Sequence, residues 1–434
     1  MIKILIILSL LLNKIFDGII EYLNSVHLKS ELPDNVKDVY DAAEYKKWIS
    51  YEKEYGKVHL VEGILETALA VVLLASNVYA WLFDLFSRFP IYGQYAVVIV
   101  IIIAASTVLG IPFDYYKTFV LEEKYGMNKT THKTFVLDIL KELLIGAVLA
   151  YLLMALIMFL FERYGNMAIL WTTIALAAFS LLIAALTIPF MRIFNKFTPL
   201  EDGELKERLT VLCDRYGVGI KKIVVRDASR RTIKSNAFCT GFAKKKTISL
   251  DDNLVNNFTP GEITAVFAHE FAHARYHHIL KSIPFALFRQ TLTVAVIGLI
   301  LNVPALFGAF GFDSINYFFA TILMSPLIWP LQTGLDAISN YLSRRHEYEA
   351  DAFAATEGYG PELIAALKRL CEESLADINP HPLKVKLGYS HPTLSQRIQA
   401  ITAAGATEAT GAAEAAGTAE VAGAGFASSH ADHC

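Results

Sequence analysis

Charge is scarce in this chain. Only 19% of its 434 residues are Asp, Glu, Lys or Arg, while 54% are hydrophobic. With a mean hydropathy of +0.41, that balance excludes an ordinary water-soluble globule. A basic excess is missing as well: the formal net charge is −3, so nothing points to nucleic acid as a partner. Cysteine is sparse, and Cys213, Cys239, Cys371 and Cys434 show no CxxC or knuckle spacing. They read as unpaired structural thiols, not a disulfide framework. Cys434 is not a prenylation box, which needs three residues after the cysteine. Behind the apolar start "IKILIILSLLLNKIFDGIIEYLN" no small-x-small cleavage site follows. That stretch therefore reads as a membrane span, although Lys14, Asp17 and Glu21 interrupt it.

What the chain has in abundance is long uncharged runs, at 67–83, 90–113, 143–161, 164–191, 290–312 and 314–335. Each is near or above the ~17–20 residues that cross a hydrocarbon core. With the N-terminal stretch they predict about seven transmembrane helices and a mainly α, polytopic membrane protein. Lys29, Lys37, Lys46, Lys47, Lys53, Lys57, Lys117, Lys124, Lys129 and Lys133 crowd the loops 25–60 and 114–138 on one face. The opposite face shows little beyond Lys3, Arg88 and Arg163. The basic face, which also carries 192–289 and everything after about 336, is expected to be cytoplasmic. The sequons at Asn128 and Asn257 fall on that face, so glycosylation is not expected.

Three regions follow. Residues 1–190 form an N-terminal membrane region with spans 1–5. Residues 191–402 form a second region that includes spans 6–7 (290–335). Residues 403–434 are an Ala/Gly/Thr/Glu-rich tail with almost no large apolar residues, expected to be disordered. Between spans five and six, 221–229 and 246–252 read as strands and 235–242 as an extended segment, giving a small α+β unit. Residues 259–282 read as a helix, with Thr259 as N-cap, Pro260 at the first position and Glu262 three residues on from the cap.

That helix carries the pentad His269-Glu270-Phe271-Ala272-His273. Residues four apart share a helical face, so both imidazoles can reach one Zn²⁺ at about 2.0–2.1 Å. Glu270 is turned aside and can face a water on the metal. A catalytic zinc takes a third protein ligand and keeps one position for water. The candidate lies in "SNYLSRRHEYEADAFAA" (339–355), where Glu347 and Asp351 share a face and Glu349 points away. Glu347 suits the third ligand and Asp351 the support of a ligand histidine. His277 and His278 are poorer ligands, because on a continuing helix they lie about 6 Å or more beyond His273. The hairpin 308–315 returns the chain to the side of His269 and His273, so Glu347 can join them. Ordinary readings compete: a chance pentad, and an amphipathic helix with solvated charges at 339–355.

The chain resembles the integral-membrane type I CAAX prenyl proteases, from about residue 30 to 402. The resemblance is carried by "LPDNVKDVYDAAEYKKWISYEKEYGK" (32–57), "IPFDYYKTFVLEEKYGMNKTT" (111–131), "NKFTPLEDGELK" (195–206), "SNAFCTGF", "HEFAH", "SRRHEYEADAFAA" and "YSHPTLSQRI" (389–398). It implies seven helices enclosing a large intramembrane chamber, with zinc at the cytoplasmic end, and cleavage near the C-terminus of prenylated substrates. It also implies His269, His273 and Glu347 as zinc ligands, Glu270 as catalytic base and Asp351 behind a ligand histidine. His391 and Arg397 become groups that stabilise the oxyanion or position substrate. Asn236 and Ala237 become part of an edge strand pairing with an extended substrate. Cys239-Thr240, in place of the usual aromatics, and "SLDDNL" depart from the family's pattern on that substrate side.

The expected function is therefore a zinc metalloendopeptidase, one Zn²⁺ per chain, acting on peptide or prenylated protein substrates from within the lipid bilayer. A membrane-protein quality-control zinc protease without prenyl specificity is the alternative. A scaffold or transporter with a vestigial pentad is disfavoured, because all five of His269, Glu270, His273, Glu347 and Asp351 are retained. The sequence carries no signal for an oligomeric state.

Overall fold

The computed structural model describes residues 1–28, 30–217, 220–240 and 246–406. The low-complexity tail lies, from residue 407, outside the described residues. Helices dominate. In chain order they are α1 (Ile2–His27), α2 (Ala42–Ala75), α3 (Val78–Leu85), α4 (Ile91–Tyr116), α5 (His132–Tyr164), α6 (Ala168–Ala185), α7 (Thr187–Met191) and α8 (Glu204–Arg215). After the sheet come α9 (Asp252–Asn257), α10 (Pro260–Arg275), α11 (His278–Leu301), α12 (Pro304–Gly308), α13 (Tyr317–Ala354), α14 (Gly360–Ser374) and α15 (Pro382–Gly388). A last helix, α16, covers 394–406.

Six of these helices are long and apolar enough to cross a membrane: α2, α4, α5, α6, α11 and α13. They bury only 6% to 28% of their most apolar stretch inside the protein, far less than a filled bundle would. The packing order explains why. α1 touches α2 and α13, α13 touches α11, α11 touches α6, α6 touches α5, and α5 touches α4. A π-helical turn, Lys117–Glu122, continues α4 and meets α2. Each of the seven helices thus meets neighbours on two sides, and the start of α13 also reaches α5. Lipid tails are as apolar as the helices, so no solvent force requires their remaining faces to be buried. α1 is tied to α13. Its Ser9 hydroxyl donates to the Pro326 carbonyl inside α13 and accepts from Trp329 Nε1 at 3.2 Å, while Leu5, Leu8, Leu12 and Ile19 stay exposed. Far from the sheet, Phe307, Phe310, Phe312 and Phe319 pack together across that end.

The run 67–83 behaves differently from the sequence expectation. Asn77, in the left-handed region at φ 59°, splits it into α2 and α3, and α2 reaches back to residue 42 through the expected loop. The Asp41 carboxylate caps its first turn, and Glu44 completes a capping box.

At the other end sits a four-stranded sheet in the order β1 (Phe197–Pro199), β2 (Ile220–Arg226), β4 (Lys246–Asp251), β3 (Ala237–Thr240). β1 was not foreseen from the sequence; it is three residues long and antiparallel to β2. β2 and β4 are parallel, and β3 is antiparallel to β4, with Ala237 opposite Leu250. Of the extended segment expected at 235–242, residues 241 and 242 lie outside the described residues. The core of this unit joins Phe267 and Phe271 of α10 to Ile248 and Leu250 of the sheet, and to side chains of α13 and α14. Leu28, Val36, Trp48, Tyr51, Leu121 and Met127 enter the same core. The lysine-rich loops 25–60 and 114–138 are therefore on the same side as the sheet.

Candidate metal centre

α10 forms where the sequence signals it. Thr259 Oγ1 accepts from Glu262 N–H, and the Glu262 carboxylate accepts from Thr259 N–H at 2.8 Å, a capping box with Pro260 in the first turn. Eleven of its side chains, from Glu262 to Ala274, are buried, among them Phe267, Phe271 and His269. The pentad thus rides on a core helix. α13 packs against it. This one helix runs from the end far from the sheet, at Tyr317, through the bilayer span to Glu347 and Asp351, so the membrane wall itself delivers two carboxylates to the site.

Three ligand side chains converge. His269 Nε2 and His273 Nε2 are 3.2 Å apart. Glu347 Oε2 is 3.4 Å from His269 Nε2, and Glu347 Oε1 is 3.3 Å from His273 Nε2. Tetrahedral zinc with bonds of about 2.0–2.2 Å needs ligand atoms about 3.3–3.5 Å apart, so the spacing fits. Glu347 is 4% exposed, and its buried Oε2 has no hydrogen-bond partner of acceptable geometry among the described residues. A buried carboxylate oxygen left in that state is costly, and a cation would satisfy it. Burial and the Arg397 guanidinium favour the neutral ring of His269, yet the Asp351 and Glu347 carboxylates raise its pKa to about 9.

Behind the ligand atoms, His269 Nδ1 is 2.9 Å from Asp351 Oδ1. Asp351, fully buried, accepts two bonds from Arg397, Nε at 2.8 Å and Nη2 at 2.6 Å. Arg397 therefore faces inward to Asp351, with Glu347 Oε2 at 4.0 Å. His391, by contrast, has a side chain 62% exposed, its Nε2 3.5 Å from Glu347 Oε1, and its Nδ1 3.0 Å from Ser390 Oγ. Glu270 makes no hydrogen bond or ion pair among the described residues. Burial raises its pKa, with His269 and His273 opposing the rise. Asn236 and Ala237 lie at β3, the edge of the sheet beside α10. The Asn236 carbonyl accepts from Asp251 N–H, and its side-chain oxygen accepts from Ala237 N–H at 2.8 Å.

The expected helix over 259–282 is two helices. α10 stops at Arg275, His277 adopts φ 56°, and α11 restarts at His278. His278 does not continue the pentad's helix away from the site. It is 4% exposed, and its Nδ1 lies 2.9 Å from His273 Nδ1. Its Nε2 lies 3.1 Å from Glu349 Oε2. His278 and Glu349 are the residues that sequence reasoning passed over. The only glycine or proline near the break is Pro284, and it lies inside α11, so no local breaker marked the turn.

Residues 22–196 match the family described as "CAAX prenyl protease N-terminal, five membrane helices", and residues 199–404 match "Peptidase family M48". The chain is 30% identical over 403 residues to "CAAX prenyl protease 1" of Saccharomyces cerevisiae, covering 86% of this chain and 89% of that protein. It is 35% identical over 298 residues to "CAAX prenyl protease 1 homolog" of Arabidopsis thaliana, covering 68% and 70%. The crystal structure of S. mikatae Ste24p superposes with a TM-score of 0.87 at 29% identity, covering 92% of this chain and 99% of that one.

Proposed function

Because the chain belongs to the CAAX prenyl protease 1 family, within peptidase family M48, we propose that it is a membrane-embedded zinc endopeptidase that cuts near the C-terminus of prenylated CAAX-type substrates. The observation that carries this reading is the convergence of His269, His273 and Glu347 at tetrahedral spacing at the end of a membrane helix. Those three would hold the ion. When bound, zinc supplies Lewis acidity to a scissile carbonyl and brings the pKa of a bound water toward ~7.

The remaining chemistry belongs to the chain. Glu270 takes a proton from the water and passes it to the leaving amine; burial raises its pKa, which makes the ionised carboxylate a stronger base. Asp351 orients His269 through Nδ1, and Arg397 holds Asp351 by two hydrogen bonds, which makes Arg397 a positioning residue for the ligand shell. His391, exposed beside Glu347, is the group placed to meet substrate and donate to a developing oxyanion. β3 is the outer strand of the sheet beside α10, where Asn236 and Ala237 would pair with an extended substrate.

The metal assignment is tested by Glu347→Ala. With one of three protein ligands gone, the purified variant is expected to lose most of its zinc. Full occupancy by elemental analysis would move the third ligand elsewhere.

The chain is a multi-pass membrane protein, and we place the C-terminus and the metal centre on the cytoplasmic side. The lysines of 25–60 and 114–138 support this, as does the core those loops share with the sheet. Reporter fusions are expected to put residue 340 inside and the N-terminus outside. A fusion at 340 that reports an external location would overturn the orientation.

A further inference from the structure

We propose that His278 and Glu349 form a relay that fixes the ring of His273 for metal binding; the inference rests on the metal-centre reading above. The two imidazoles meet Nδ1 to Nδ1 at 2.9 Å, so one nitrogen must donate and the other accept. His273 turns Nε2 toward His269 and Glu347. When that nitrogen gives its lone pair to an ion, the ring's proton is on Nδ1, and His278 Nδ1 is its acceptor. The proton of His278 then sits on Nε2, 3.1 Å from Glu349 Oε2. Lys281 Nζ holds the same carboxylate oxygen at 3.2 Å. The His346 ring stacks on His278 at 4.3 Å and 7°, keeping it in plane. One arrangement of protons satisfies every contact in the chain from Glu349 to His273.

The backbone is arranged for this contact. On an unbroken helix His278, five residues after His273, would lie about 140° around the axis and about 7.5 Å along it, out of reach. The left-handed turn at His277, a conformation few non-glycine residues adopt, folds α11 back so that His278 meets His273. α13 then anchors both ligand histidines: Asp351 holds His269 directly, and Glu349 holds His273 through His278. A single helix supplies one ligand and the supports of the other two.

The test is zinc affinity of the purified full-length chain, measured by competition with a chelator and therefore independent of turnover. Partners behind a metal ligand typically matter by about 10- to 100-fold in affinity, so His278→Ala is expected to bind zinc more weakly by that factor. Glu349→Gln is nearly isosteric at a side chain 41% exposed; it is expected to weaken zinc in the same direction, and it tests the relay even if His278→Ala fails to fold. Because Glu349 acts only through His278, the double variant is expected to be no weaker than His278→Ala alone. Asp351→Asn acts through the other histidine, so its loss should multiply with that of His278→Ala. Wild-type affinity in either single variant, or losses for His278→Ala and Glu349→Gln that multiply fully, would overturn the relay while leaving the metal centre standing. A wild-type chain that binds no zinc, or a Glu347→Ala variant with undiminished affinity, would bring down the metal-centre reading and the relay with it.

Discussion

Glu270→Gln is expected to lower kcat/KM by roughly 10²-fold or more while one zinc per chain stays bound. The amide is nearly isosteric with the carboxylate, so the core helix that carries it keeps its packing. It cannot accept the water's proton, and that step has no evident substitute. Asp351 is committed to Arg397 and His269, and Glu347 lies against both ligand histidines. Glu270 alone among these carboxylates has no polar partner among the described residues, and its burial makes it a better proton acceptor. Turnover and zinc content of the purified variant, measured together, decide the matter. Near wild-type turnover would remove Glu270 from the base role, and loss of zinc would place it among the ligands.

Prenylation of a peptide substrate is expected to raise kcat/KM by more than a hundredfold over the same peptide without the lipid. The membrane helices bury little of their most apolar stretches inside the protein, and a prenyl chain is the apolar group the family's substrates carry. Burying about 120 Å² of isoprenoid surface at ~25 cal/mol per Å² contributes about 3 kcal/mol, or roughly two orders of magnitude in efficiency. The reaction at the metal centre does not need the lipid, so the bare peptide should be cut at the same bond, slowly. Matched peptides assayed for kcat/KM and cleavage position provide the measurement. Equal efficiencies on both would reject prenyl specificity and favour a quality-control protease acting on membrane proteins.

Much of the site was legible from local periodicity, although Asn77 and His277 interrupt helices that pattern alone runs through. His269 and His273 turn toward one point, and Glu347 shares a face with Asp351, because residues four apart align on any α-helix. The start of α10 followed from Thr259, Pro260 and Glu262, since a cap acts within one turn. The apolar runs marked the spans because hydrocarbon imposes length and composition on each helix separately. Tertiary structure decided what depends on residues distant in the chain. Whether α1 belongs to the wall was settled by its packing on α13, across more than 300 residues. Arg397 meets Asp351, 46 residues away. Glu349, which periodicity turned away from the ligands, supports one of them from the other side, because a left-handed residue at 277 folds the chain back on itself. No glycine or proline marks that turn. Its strain is tolerated because the packing of α11 against α13 and the contacts of a buried histidine hold it in place, and such long-range terms leave no periodic trace in a sequence.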